Sequence, residues 1–448
     1  MRRGWWKDAF AFVALFSLWD GDGLRDALSW WGFGALSLLL LLTAVVVTIR
    51  HRGRFAALLT SIDSWPMLGF MALCLLSVVW SDYPVSTLLG SFIQVATALV
   101  GVSLLLIHSP GRLAAIGTWM VHVHLVLSVV FEAVVATVVP GHQLLPFWTD
   151  YGSNAPGAYY WSEGLLFQGG RIQGIVANAN LTCFLALLGL ILIGCLIAAR
   201  RVPMALAVPA VLLDLLMLAL TRSATVLIAG VLVVAAALAA IGFRRFRGRG
   251  RIVLTAAAAL VVAVIGFGSS RASAPLLGAL GKGDDLTGRL EIWRIVGTLA
   301  AQRPVLGWGW VGYWPPWVPP FNRLVVRGGV QYLQAHSAYL DIALQLGIPG
   351  LLALVVVVGS LVYRSLRLAI APRPLALLPL LLTTALLTQG LAESRLLIEG
   401  NWALLVMLSV AVPWVRRPRA GLQGAALSPG MSPAVSPQQG NRVSAPPA

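Results

Sequence analysis

The sequence predicts an all-α membrane protein, a polytopic bundle of about twelve transmembrane helices. Of its 448 residues, 58% are hydrophobic and only 11% are charged, with a mean hydropathy of +0.85. Soluble domains carry about 25% charged residues. Apolar runs of roughly 17 to 25 residues, the length that crosses a bilayer, recur along the chain. The three cysteines fall inside such runs without paired spacing, which argues against a disulfide framework or a zinc site.

The spans follow one another from the first residues. The positively charged start "MRRGWWKDAF" is not followed by a small-residue cleavage site, so we interpret it as a retained first span. A transmembrane domain is predicted over residues 1–418. Its helices are predicted at about 5–19, 27–49, 57–80, 85–107, 113–139, 174–199, 203–220, 223–243, 252–268, 336–363, 374–391 and 400–415.

The basic residues predict the orientation of these spans. The net charge is +16, and most Lys and Arg residues fall in alternate short connections, which marks those connections as cytoplasmic. The stretch "RRFRGRGR" at 244–251 would also suit nucleic acid, but a cytoplasmic loop at anionic lipid headgroups explains it as well. We therefore expect a multi-pass protein of the cytoplasmic (inner) membrane with both termini in the cytoplasm and no nucleic-acid partner.

Three segments lie outside the spans. Two long connections, 140–173 and 269–335, are predicted to be extracytoplasmic, and the Pro- and Ser-rich tail 420–448 is predicted to be a disordered cytoplasmic segment. The larger loop includes an amphipathic helix, "GDDLTGRLEIWRIVGTLA", with Asp285 or Thr287 as N-cap. Its predicted apolar stripe is Leu286, Leu290, Trp293 and Val296. The tryptophans that follow could stack on sugars or anchor the loop at the bilayer interface: Trp308, Trp310, Trp314 and Trp317.

The stretch "QAHSAYLDIALQLGIPG" at 334–350 places polar residues at the outer end of a span. Ser337, Asp341 and Gln345 recur every four residues and would form one polar stripe, with His336 and Tyr339 on a neighbouring face. A helix over 336–363 would be about 42 Å long, more than the 30 Å hydrocarbon core. It must therefore project into water or break near "GIPG".

Three arginines are predicted near the same face. Arg289 lies in the first turn of the loop helix, where a cation is unfavourable unless it shares an anion with the free backbone N–H groups. An ion pair with Asp284 or Asp285 is the alternative. Arg171 precedes one span and Arg222 lies in a very short connection; each alone could be an interfacial arginine.

These segments resemble the O-antigen ligase and O-antigen polymerase superfamily of membrane glycosyltransferases. "HSAYLDIALQLGIPG" carries a histidine, a small polar residue, and two glycines at the family spacing. The similar segments "VWSDYPVS", "RIQGIVANAN", "LTRSA" and "TGRLEIW" precede it in the expected order. The resemblance covers roughly residues 60 to 410. It implies a GT-C-like fold and transfer of a glycan from a polyprenyl-diphosphate-linked donor to an acceptor hydroxyl, on the extracytoplasmic face, by an inverting and metal-independent route.

The resemblance also implies roles for individual residues. His336 would activate the acceptor, Arg222 and Arg289 would bind the diphosphate, and Arg171 is a third candidate for that site. The supporting residues are Ser337, Tyr339, Asp341, Gly347 and Gly350. No cofactor is expected; Asp284 and Asp285 could hold a divalent ion, but no third carboxylate lies close in sequence. The expected partners are the lipid-linked donor, a glycan or lipid acceptor of lipopolysaccharide or exopolysaccharide synthesis, and membrane lipids.

The chemistry of these residue types agrees with that role. Arginine forks fit phosphate oxygens, remain protonated and can stabilise the leaving diphosphate without a metal. Nearby arginines favour a neutral imidazole, which can accept the proton of the attacking hydroxyl. The motifs do not separate a ligase from a polymerase. A transporter or flippase of lipid-linked sugars, with Glu132 and Asp214 as its buried charges, and a scaffold without chemistry are the other hypotheses.

The predicted orientation can be tested by labelling from outside intact cells. We expect a single cysteine at position 330 to react with an impermeant maleimide and one at position 247 to react only after the cells are opened. The reverse pattern would overturn the orientation. The native cysteines Cys74, Cys183 and Cys195 are replaced in both variants.

Overall fold

The fold was determined from a computed structural model that describes residues 4–149, 151, 155–251, 253, 283–373 and 375–416. Within these residues the chain is a helical bundle with one small β-hairpin. The helices are α1 Trp5–Trp19, α2 Gly21–Arg50, α3 Arg52–Leu59, α4 Trp65–Leu76, α5 Pro84–Ile107, α6 Pro110–Val138, α7 Ala179–Ala198, α8 Met204–Thr221, α9 Ala224–Arg245, α10 Gly283–Ala300, α11 Ala338–Ala369, α12 Leu378–Gly390 and α13 Glu399–Arg416.

The all-α polytopic class is confirmed. Eight helices of the described residues are long and apolar enough to cross a membrane, against about twelve predicted. Eleven predicted spans coincide with helices, although α7 begins at Ala179 rather than at 174, and α11 extends to Ala369. The predicted span 252–268, the first part of the large loop and the tail 420–448 lie outside the described residues.

Helix α7 is the centre of the bundle. It contacts α6, α8, α9 and α12, and most of its side chains are buried because neighbours cover it on every face. Asn178 caps its first turn by accepting hydrogen bonds from the backbone N–H groups of Asn180 and Leu181. The cap fixes where the helix starts, and with it the position of Asn180 at one end of the bundle.

The basic connections gather at one end of the bundle. Arg54 donates to the carbonyl of Leu106, Arg244 to that of Ala369, and Arg364 to that of Asp63. Helices α9 and α11 begin at the other end, next to Ser223 and Ser337, and run to this end. We call the end with these arginines the basic end of the bundle; Ser223 and Ser337 lie at the opposite end.

The large connection between α10 and α11 has a hydrophobic core of its own. Ile292, Val296 and Leu299 of α10 pack with Trp314 and Phe321. The predicted stripe of α10 was right for Val296 and wrong for Leu290, which is 56% exposed. Leu286, Asp285 and Thr287 have side chains outside the described residues.

A β-hairpin leads from this core towards α11. Strand β1 (Val325–Arg327) pairs antiparallel with β2 (Val330–Tyr332) through a turn in which Gly328 and Gly329 both have positive φ. The sequence "VVRGGVQY" contains this signal, two β-prone runs separated by Gly-Gly. The sequence analysis did not predict the hairpin.

Helix α11 is broken at Gly347. This residue has φ +60° and ψ −151°, which splits the helix into a short segment, 338–346, and a long one, 348–369. The backbone of 304–305 passes beside the break, and the N–H of Ile348 donates to the carbonyl of Pro304 at 3.0 Å. Of the two predicted alternatives, a break near this position or a projecting helix, the structure has the break. Gly350 is buried one turn later.

We expect Gly347→Ala to destabilise the protein. A Cβ at this position would lie 2.4 Å from the carbonyl oxygen of Val305, and the positive φ adds a cost of about 1–3 kcal/mol for a non-glycine residue. The midpoint of thermal unfolding in detergent should fall by several degrees. Gly359→Ala in the same helix, where nothing lies within 4 Å, is the control and should leave the midpoint unchanged or raise it. Equal midpoints for the two variants would contradict the role assigned to Gly347.

Candidate active site

Glu393 is the centre of a polar cluster at the end of the bundle opposite the basic end. It lies in the connection between α12 and α13 and its side chain is 6% exposed. One carboxylate oxygen lies 3.1 Å from Nδ1 of His336. The other accepts hydrogen bonds from Arg289 at 3.0 Å and from the side-chain amide of Asn180 at 2.9 Å. Three separate parts of the chain therefore meet on one carboxylate.

The surroundings of Glu393 stabilise its ionised form. Burial alone would raise the pKa of this carboxyl group, but the charge and hydrogen bond of His336, together with Arg289 and Arg395, lower the pKa of Glu393 to about 2. The ionised carboxylate can only accept, so Nδ1 of His336 carries the proton in this pair. The second ring nitrogen, Nε2, is then the one that can take a proton.

Arg171 joins the cluster through Asn180. Its guanidinium donates to the side-chain oxygen of Asn180 and, at 2.8 Å, to the carbonyl of Thr221. Ser223 donates to the same Asn180 oxygen at 2.9 Å. Asn180 thus accepts on one atom and donates to Glu393 from the other, which links the segment before α7 to the connection after α12.

The segment that carries Arg171 is tied down by a buried carboxylate. Glu132 of α6 accepts from the backbone N–H groups of Gln173 and Gly174 at 2.8 and 2.7 Å, and from the hydroxyl of Ser162 at 2.7 Å. In the transporter hypothesis, Glu132 is one of the buried charges. In the structure its oxygens are occupied by this loop.

Arg222 lies beside the cluster and is exposed. It ends α8 with φ +49°, between Thr221 and Ser223, which bond to Arg171 and Asn180 respectively. No side chain of the described residues forms an ion pair with it.

His336 has φ +51°, and Ala177 in the Arg171 segment has φ +57°. Non-glycine residues with positive φ are uncommon and cluster at functional sites.

The residues after His336 anchor the surrounding loop. Asp341 accepts from the indole N–H of Trp314 at 2.7 Å and from the backbone of Ala335 at 3.0 Å. Gln345 accepts from the backbone N–H groups of Val311 and Gly312. The predicted stripe of Ser337, Asp341 and Gln345 is thus a buried face that holds the tryptophan-rich segment. The backbone N–H of Ser337 donates to Ser394, and the hydroxyl of Tyr339 donates to the carbonyl of Leu387.

The four tryptophans of the loop have different environments. Trp310 and Trp314 are fully buried, so neither sugar stacking nor interfacial anchoring describes them. The indole of Trp308 donates to the carbonyl of Leu299 and lies under Arg303, whereas Trp317 is 70% exposed. Asp341 accepts from the indole N–H of Trp314, whereas the indole N–H of Trp310 has no hydrogen-bond partner within the part of the chain that the structure describes.

The geometry brings together His336, Arg289 and Arg171, with Arg222 adjacent. Arg289 was predicted to bind an anion or to pair with Asp284 or Asp285; its partner here is Glu393. The side chains of Asp284 and Asp285 lie outside the described residues. Sequence analysis missed Glu393 and Asn180 as site residues.

A comparison with protein families agrees with this part of the chain. Residues 209–355 match the family model described as O-Antigen ligase. The match confirms the resemblance to the O-antigen ligase and polymerase superfamily and supports a glycosyltransferase-like activity of that general type. It includes Arg222, Arg289 and His336, while Arg171, Asn180 and Glu393 lie outside the matched residues. No curated protein matches the chain.

The O-antigen ligase match includes Asp341 and Gln345, which hold the tryptophan-rich segment. We expect Asp341→Ala to lower the midpoint of thermal unfolding, because the substitution leaves the indole N–H of Trp314 and the N–H of Ala335 buried without acceptors, at about 1–3 kcal/mol each. The control is Asp82→Ala, which removes an exposed ion pair with Arg303 worth less than about 1 kcal/mol. A larger loss in the control would contradict the assigned role of Asp341.

Proposed function

We propose that this protein transfers a glycan from a polyprenyl-diphosphate-linked donor to an acceptor hydroxyl at the extracytoplasmic face of the inner membrane. The observation that carries the proposal is the cluster of His336, Glu393, Arg289 and Arg171 at the end of the bundle opposite its basic connections. The excess of Lys and Arg in those connections supports a cytoplasmic position for the basic end. The cluster then lies on the side where lipid-linked donors are used.

The charge balance suits a diphosphate. Arg171, Arg222 and Arg289 contribute three positive charges and Glu393 one negative charge, so the site has a formal charge of +2 with His336 neutral. A diphosphate esterified at both ends carries about two negative charges at neutral pH, and guanidinium forks match its oxygens. As the bond between the anomeric carbon and the diphosphate oxygen breaks, these arginines stabilise the electron pair left on that oxygen.

His336 and Glu393 suit activation of the acceptor. Glu393 holds the proton of His336 on Nδ1, so Nε2 can accept the proton of the acceptor hydroxyl as its oxygen attacks the anomeric carbon. The carboxylate then stabilises the imidazolium that forms, as the aspartate does in a Ser-His-Asp triad. Attack opposite the leaving diphosphate inverts the anomeric configuration. The groups that do this work are side chains, and the proposed route requires no metal ion.

The proposal is tested with purified protein in lipid, a polyprenyl-diphosphate-linked oligosaccharide and two acceptors, a lipopolysaccharide core and a second lipid-linked oligosaccharide. We expect a new glycoside whose formation persists in EDTA. A single shifted band on the core would assign a ligase, and a ladder of lengths a polymerase. No product with either acceptor, from folded protein, would refute the proposed transfer and favour transport of lipid-linked sugars.

Variants of the cluster give the sharper test. We expect His336→Ala and Glu393→Gln to lower kcat by about 10²-fold or more, since each removes part of the proton acceptor. His51→Ala, at the basic end, is the matched control and should keep normal activity. Because the pKa of Glu393 is about 2, its carboxylate stays ionised above about pH 4, so loss of wild-type activity between about pH 4 and 7 must come from another group. Activity of His336→Ala equal to that of the control would exclude the assigned role.

A further inference from the structure

Four charged side chains from opposite ends of the chain form a closed ring beside the cluster. The first turns of α2 supply Asp22 and Arg25, the connection after α12 supplies Arg395, and α13 begins with Glu399. Arg25 donates to one oxygen of Glu399 at 2.9 Å, and Arg395 to the other at 2.6 Å. Both guanidinium groups also bond to Asp22. Each charge in the ring thus has two neighbours of opposite sign, and the ring is neutral.

The ring holds the connection that carries Glu393. Arg395 is two residues from Glu393, within the short helical turn Ser394–Leu397, and is 7% exposed. Its positive charge is also among those that lower the pKa of Glu393. A displacement of Arg395 would therefore change both the position and the electrostatic environment of the carboxylate on which His336 and Arg289 meet.

The first turns of α2 also contact the segment that carries Arg171. A Cβ at Gly23 would lie 2.0 Å from the carbonyl oxygen of Ile175, so only glycine allows this approach. On the neighbouring side, Gly21 lies against the carboxylate of Glu399. Ser29, with φ +64°, separates these turns from the long remainder of α2. Residues 21–28 therefore contact both the segment that carries Arg171 and Glu399, the ring member that is bonded to Arg395.

We infer that the ring of Asp22, Arg25, Arg395 and Glu399 is a positioning device that holds Glu393 in register with His336. The inference rests on the proposed function and assigns part of the site's support to α2, outside the residues that match the family model. The ring residues are positioning residues: they act through Glu393. A displacement of a reacting group by about 1 Å can cost about 10²-fold in rate, so such support has a measurable effect on kcat.

The ring predicts a distinctive pattern among charge-removing variants. Arg25→Met leaves two carboxylates around one guanidinium, and Glu399→Gln leaves two guanidinium groups on one carboxylate, so each single variant has an uncompensated, partly buried charge. The double variant is neutral again and keeps the pair of Asp22 and Arg395. We expect kcat to fall at least tenfold in each single variant and to recover at least threefold in the double variant.

A second pair of variants distinguishes a positioning role of the ring from a general effect on the stability of the protein. In a Glu393→Gln background, Arg25→Met should lower kcat less than twofold further, because the group it positions is already removed. The matched control is Arg112→Met, which breaks an ion pair with Asp8 at the basic end and should leave kcat unchanged. An unchanged tenfold loss in the Glu393→Gln background, or single and double variants with equal activity, would overturn the inference.

The reactivity of His336 towards a chemical reagent can be measured without turnover, so it tests the ring separately from the proposed function. Carbethoxylation of His336 by diethylpyrocarbonate is followed by peptide mass spectrometry in folded wild type and variants. We expect Arg25→Met and Glu399→Gln each to raise the rate at His336 at least threefold, with the double variant near wild type and His51 unaffected. Unchanged rates at His336 would overturn the ring inference whether or not transfer is detected. Changed rates in a protein without transfer would refute the proposed function alone.

Discussion

The arrangement of the candidate site depends on one buried carboxylate. Arg289, Asn180 and His336 come from three separate parts of the chain and reach the same group, Glu393. Without this acceptor, three hydrogen-bond donors, the guanidinium of Arg289, the side-chain amide of Asn180 and Nδ1–H of His336, would face one another unpaired, and the segments that carry them would have no common point of attachment. The acid is therefore the structural centre of a site whose other charged members are basic.

The loops around this centre are held by the same kind of contact. Buried side chains on helices accept hydrogen bonds from backbone N–H groups of irregular segments: Glu132 from the Arg171 segment, Gln345 from the tryptophan-rich segment, and Asp341 from the residue before His336. Irregular backbone at or near membrane depth needs such partners because water and secondary structure do not supply them. Several of the polar residues buried in the bundle are explained by this need, so they are not in themselves evidence for a transport pathway.

The sequence was sufficient for the class of fold and for part of the site. Long apolar runs predict helices well, because only helices satisfy their backbone in lipid. Arg171, Arg222, Arg289 and His336 are predictable because their residue types suit anion binding and proton transfer and their segments resemble those of a known family. Glu393 is not, because it lies 57 residues after His336 and a lone acid near a span end resembles an interface residue. Contacts between distant segments leave no periodic signal. The same limit explains Trp310 and Trp314, whose burial depends on neighbours from other helices, and Leu290, since α10 has apolar residues on more than one face.

The break at Gly347 determines how His336 is supported. A continuous helix would transmit any tilt of its lipid-embedded part to its first residue, as a rigid lever does. Here the hydrogen-bond ladder is interrupted, and the segment 338–346 is fastened to the loop through Asp341 and Gln345 instead. The orientation of the imidazole is therefore set by contacts with the loop rather than by residues 348–369. Gly347 thus acts as a joint, at which residues 348–369 can change their tilt without turning the histidine.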